Sequence, residues 1–212
     1  MKDELKVSLT GFMRYINKTA GGKISAAKRV VEKIIEGEYD AKTDYWRRLR
    51  QAIISFHKNV GSIDDLKEVA GNVHETKQNN YNKAIGGYIN FLGHKKIAWI
   101  GEPPKIKWRV GGLIVSLNPE LGLMLRNKKY YVKLYIDSHD ENALSRGQAD
   151  MIIALMEHEL KKNIDEEISF AVIDVVRGKF FDSKRQRKNL YDMLVAEAKS
   201  LEFLLRSIIG DK

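Results

Sequence analysis

The sequence predicts an α+β fold: a helical N-terminal region followed by a small, mostly antiparallel sheet flanked by helices. Three observations lead there. Apolar residues recur at helical spacing between residues 5 and 92. Strand-forming residues joined by tight connections follow between residues 105 and 136. An amphipathic helix, an apolar strand and a long helix close the chain. From residue 75 the order is helix, three strands, helix, strand, helix. The domain boundary is expected between 1–74 and 75–212.

The elements follow in order. Leu5, Leu9, Phe12, Met13 and Ile16 mark a first helix over 5–17, broken by Ala20-Gly21-Gly22. Ser25 is expected to cap a second helix that ends at Gly37, and Asp44 a third that stops at Gly61. Ser62-Ile63-Asp64-Asp65 opens a short fourth helix with acid in its first turn, as the helix dipole prefers. A fifth runs over 75–92. Gly86-Gly87 inside it costs about 1 kcal/mol per glycine, which points to close packing or a kink.

Gly101-Glu102-Pro103-Pro104 cannot continue a helix. Strands are expected over 105–110, 113–117, 121–125 and 130–136. The connections Asn118-Pro119-Glu120 and Arg126-Asn127-Lys128 are short, so the last three strands are expected to be antiparallel neighbours. A helix follows over 149–160, then a strand buried on both faces over 168–176. Residues 179–181 turn back on it, and a long helix spans 187–209 with a single Glu197 in its apolar face.

Composition bounds the function. The chain has 212 residues, is 43% hydrophobic and carries no cysteine, so disulfides and thiolate metal sites are excluded. No apolar run reaches the ~20 residues that span a bilayer. The N-terminus lacks the apolar centre of a signal peptide, and a cytoplasmic location without membrane contact is expected. The net charge of +9 favours polyanionic partners, DNA or RNA. Residues 1–100 hold 18 basic and 11 acidic side chains, against 19 and 17 over 101–212, so the first half is the expected contact region.

Most motifs of catalysis are missing. The five histidines, at 57, 74, 94, 139 and 158, show no helical metal-site spacing and read as surface or capping residues. There is no Gly-x-Ser-x-Gly, and neither glycine pair has the lysine of a phosphate loop. Two basic clusters stand out. Arg47, Arg48 and Arg50 follow Trp46, and Lys184, Arg185, Arg187 and Lys188 open the last helix, against its dipole. Both are candidate phosphate contacts, and both also read as ordinary solvated faces.

One pairing hints at chemistry. Pro119-Glu120 precedes the strand 121–125, and Lys133 lies in the next strand with Tyr131 two residues before it, on the same face. With the element order, this resembles a degenerate member of the PD-(D/E)XK nuclease-like superfamily. That family carries Pro-Asp at its second strand and acid-x-Lys on its third. The resemblance implies Glu120 as a metal ligand for Mg²⁺ and Lys133 as the charge stabiliser. Tyr131 replaces the second acid. Glu75, Glu102 or Asp174 would have to supply it, and Asp174 stands out as a charge inside an apolar strand. The expectation is nucleic-acid binding without cleavage. The alternative is an interaction module that forms a homodimer through the apolar face of its last helix.

Overall fold

A computed structural model of the chain describes residues 4–35, 44–164, 167–183 and 189–210. It is an α+β protein with a helical N-terminal region. The chain forms two compact units, each assembled from separated stretches: 1–44 with 105–118 and 186–212, and 45–104 with 119–185. The boundary expected at residue 74 falls inside the second unit, because two helices before it pack on the second unit's sheet.

The first unit contains a strand where a helix was expected. β1 (Leu5–Ser8) alternates buried Leu5 and Val7 with exposed Lys6 and Ser8, and it pairs in parallel with a later strand. Its spacing satisfies both periods, and the sheet partner decides between them. Ser8 then caps α1 (Leu9–Ile16), accepting the Gly11 N–H at 3.0 Å. α2 (Ala20–Ile35) begins before Ser25, so Gly21 and Gly22 lie inside it instead of breaking the chain.

In the second unit, α3 (Arg47–Lys58) starts after Trp46, which holds the N-cap position without a side-chain cap of its own. α4 (Ile63–Gly71) carries a full capping box between Ser62 and Asp65. α5 (Glu75–Leu92) matches its expected bounds. It leads into β2 (Ile97–Gly101), which the sequence reading missed. β3 (Lys107–Val110) and β4 (Leu113–Ser116) then return to the first unit as a hairpin over Gly111-Gly112. Together with β1 they form a sheet ordered β1-β4-β3.

β5 (Leu121–Leu125) and β6 (Lys128–Tyr135) belong to the second unit. The expected neighbours 113–117 and 121–125 are therefore in different sheets. The short connection does not fold back. The Leu117 N–H bonds to Ile106, and Pro119 has no N–H to extend a ladder. β2 supplies the missing first strand. α6 (Arg146–Leu160), capped by a Ser145–Gln148 box, crosses over to β7 (Ser169–Asp174), which runs parallel to β6. β8 (Lys179–Asp182) pairs back antiparallel, and the sheet reads β2-β5-β6-β7-β8.

The two faces of this sheet differ. Leu121, Leu123, Tyr130, Val132, Leu134 and Ile173 pack with α3, α4 and α5 in one core. The other face carries Met124, Tyr131, Lys133, Tyr135, Val172 and Asp174. α6 covers its β7 side with Ile152, Ile153 and Met156, while Met124 stays exposed.

α7 (Leu190–Gly210) belongs to the first unit. Its apolar residues Leu194, Ala198, Leu201 and Leu205 are buried there, so the stripe proposed for a second subunit is turned inward. Glu197, the one charge in that stripe, is held by Lys23 at 2.7 Å. Trp108 anchors the same core, edge-on to Phe12 and donating its indole N–H to Tyr191.

Candidate functional site

Glu120 sits one residue before the last β5–β6 pair, Leu121 with Val132, and its N–H bonds the Val132 carbonyl at 2.9 Å. The next rung of the ladder would need residue 118, which leaves with the other unit. The Glu120 side chain takes that rung instead. Its Oε2 accepts the Leu134 N–H at 2.7 Å, and its Oε1 lies 2.5 Å from Lys133 Nζ. Both side chains are largely buried, at 11% and 14% exposure. Sequence reasoning brought the two together correctly and on one face.

A second cation completes the group. Arg50 is half-buried on α3 beside Glu120 and Tyr81. Burial pushes its guanidinium below the ordinary range, and the Glu120 carboxylate opposes that shift. One carboxylate thus faces two cationic side chains, each of the Glu120 oxygens already accepts a hydrogen bond, and the local charge is positive.

This arrangement does not fit a magnesium site. Mg²⁺ wants several oxygen ligands in an octahedron, drawn from carboxylates, substrate and water. Among the described residues no group of three or more His, Asp or Glu is placed to hold a metal ion. The candidate second acids lie on other elements. Glu102 pairs with Lys58 at an exposed position, and Glu75 occupies the first turn of α5.

Asp174 is fully buried at the end of β7, where it pairs with Tyr135. Its Oδ2 accepts the Leu144 N–H at 3.1 Å and its Oδ1 the Arg177 N–H at 3.3 Å. The Arg177 guanidinium lies 3.6 Å away and also reaches the carbonyls of Asp137 and His139. Asp140 closes the network. Its carboxyl is held below the usual range by Lys83 and Arg177. Asp174 thus ties together the turns after β6 and β7, and its bonds do not run toward Glu120.

The arginine cluster is divided. Arg47 and Arg48 are exposed on α3, and Arg48 donates to the Asn72 carbonyl, whereas Arg50 faces Glu120. Lys184, Arg185, Arg187 and Lys188 lie outside the described residues.

Two features were not legible from spacing. His57, expected at the surface, is buried, with Nε2 2.6 Å from the Tyr88 hydroxyl. Burial lowers its pKa to about 4 and pushes the Tyr88 phenol up. His74, by contrast, does cap α5. Second, His94, Lys95 and Lys96 meet Arg126 where β2 pairs with β5. The available signal was negative: neither 93–101 nor 121–136 contains an acidic residue.

No helix among the described residues is long and apolar enough to cross a membrane. No protein-family model, curated protein or solved structure matches the chain.

Proposed function

We propose that this chain is a nucleic-acid-associated protein that binds phosphate backbones without hydrolysing them, on a degenerate PD-(D/E)XK-like unit. The observation that carries the reading is the Lys133–Glu120 pair on neighbouring strands. The unit around it runs α5, β2, β5, β6, α6, β7, which is helix, three strands, helix, strand. Replacing the expected first strand by β2 leaves Glu120 at the start of the second strand and Lys133 in the third.

Binding without cutting follows from the charges. Hydrolysis of a phosphodiester needs carboxylates to hold a divalent ion near the attacking water. Here the single carboxylate is neutralised by Lys133 and faces Arg50, so the site favours anions over cations. The net charge of +9 draws a polyanion toward the chain.

The test is an end-labelled single-stranded DNA or RNA incubated with the chain and Mg²⁺ or Mn²⁺. The strand is expected to be retained and to stay full length. Metal-dependent cutting that disappears in Lys133→Ala would show an active nuclease and overturn the non-cleaving part of the reading.

A further inference from the structure

At one end of the second unit's sheet, two loops converge. The loop from α5 into β2 brings His94, Lys95 and Lys96, and the hairpin between β5 and β6 brings Arg126. Pairing of Ile97 with Leu125 fixes the two loops side by side. Between them lies a cavity of about 840 Å³, and the paired, exposed Ala98 and Met124 give it an apolar side. That volume is within the range of sites that take small organic groups.

The cations at the rim are not equivalent. Lys95 is turned back, with its amine over the Phe91 ring at 5.1 Å. Lys96 and Arg126 are exposed, and among the described residues no carboxylate pairs with either of them or with His94. The backbone presents Arg126 deliberately. Arg126 and Asn127 have φ of 50° and 62°, the left-handed pair of a tight hairpin that an arginine occupies only at some cost. Lys128 and Lys129 follow at once and extend the positive charge along the start of β6. Exposed Met124 offers an apolar surface beside these charges.

The geometry points to this cavity as the place where a nucleic-acid strand docks. Lys96 and Arg126 would contact successive phosphates, and a base or sugar would rest on the apolar surface of Ala98 and Met124. Such a combination of cationic rim and sequence-indifferent apolar surface suits single strands. The inference deepens the nucleic-acid reading and rests on it. It places the interface away from Arg47 and Arg48, and on a cluster assembled by strand pairing.

The experiment compares the full chain with a Lys96→Gln/Arg126→Asn variant, using a fluorescent single-stranded oligonucleotide across a salt series. Asparagine tolerates positive φ, so the hairpin is retained. A Lys67→Gln/Lys161→Gln variant, equal in charge and exposed, serves as control. The cavity variant is expected to bind at least ~10-fold more weakly, and its salt slope to fall by about 1.4, two contacts at ~0.7 each. The control should match the parent. If the parent binds and both variants lose affinity equally, the cavity is not the interface, although the chain still associates with nucleic acid. If the parent fails to bind, the functional reading fails with it. Displacement of the strand by micromolar AMP or inorganic phosphate would make the occupant a small phosphate ligand and overturn the strand.

Discussion

Lys133 Nζ lies 2.5 Å from Glu120 Oε1, while the other oxygen of the same carboxylate closes the edge of β6 at the Leu134 N–H. The pair is therefore a structural joint as much as a chemical one. Glu120→Ala strands Lys133 and Arg50 in a largely buried place and leaves the Leu134 N–H without its acceptor. It should cost about 3 kcal/mol, seen as a lower urea midpoint. Lys133→Met, which keeps an apolar stem, should cost less. Equal and negligible losses, below about 0.5 kcal/mol, would mean that the joint does not hold the sheet.

Gly86 and Gly87 make a paired prediction. A Cβ at Gly87 would lie 2.2 Å from the Val176 carbonyl oxygen and 2.3 Å from that of Val175, whereas one at Gly86 meets nothing. Gly87→Ala must push α5 off the turn after β7 and should destabilise by about 2–3 kcal/mol. Gly86→Ala should stabilise by up to about 1 kcal/mol, since it only adds helix propensity. Thermal melts of the two variants check the contrast.

The His57–Tyr88 pair makes stability depend on pH. The His57 pKa falls from 6.5 to about 4 on folding, so the native state keeps the ring neutral while the unfolded chain takes a proton below pH 6.5. Stability is full above pH 6.5 and drains away as pH falls to about 4. The loss is at most about 3 kcal/mol from this residue. Urea denaturation of the parent and His57→Gln at pH 7 and pH 5 isolates it, because the carboxylates are common to both. A parent curve no steeper than the variant's would count against a neutral buried His57.

Asp174→Asn tests whether the buried acid belongs to a site or to the scaffold. Asparagine retains one oxygen for the Leu144 N–H but weakens the tie to Arg177, so a loss of about 1–3 kcal/mol is expected. Oligonucleotide affinity, measured below the melting transition, should be unchanged. A selective loss of affinity at full stability would return Asp174 to the functional site.

Much of this was legible in the sequence, and the failures have identifiable causes. The helices α4 and α5, the inward face of Val132 and Leu134 and the close approach at Gly87 follow from capping residues, periodicity and glycine placement. The meeting of Glu120 with Lys133 followed from the nuclease-like resemblance, with strand parity placing Lys133 on the face of Tyr131. Leu5–Ser8 was misread because a four-residue strand leading into a helix leaves an apolar spacing that both periods satisfy. The placement of 113–117 was misread because a three-residue connection normally closes a hairpin, and Pro119 instead carries the chain into another sheet. Neither the buried His57 nor the basic cavity could be read from spacing. Each depends on residues more than 25 positions apart in the chain, His57 with Tyr88 and Lys96 with Arg126.

The central claim is that phosphate charge holds the partner. Its most direct test is the dissociation constant of a single-stranded oligonucleotide, read by fluorescence anisotropy at about 50 mM and about 200 mM salt with Mg²⁺ present. Affinity is expected to drop at least ~10-fold between the two, with the strand intact at the end. No measurable association at the lower salt, or an affinity indifferent to salt, would contradict it.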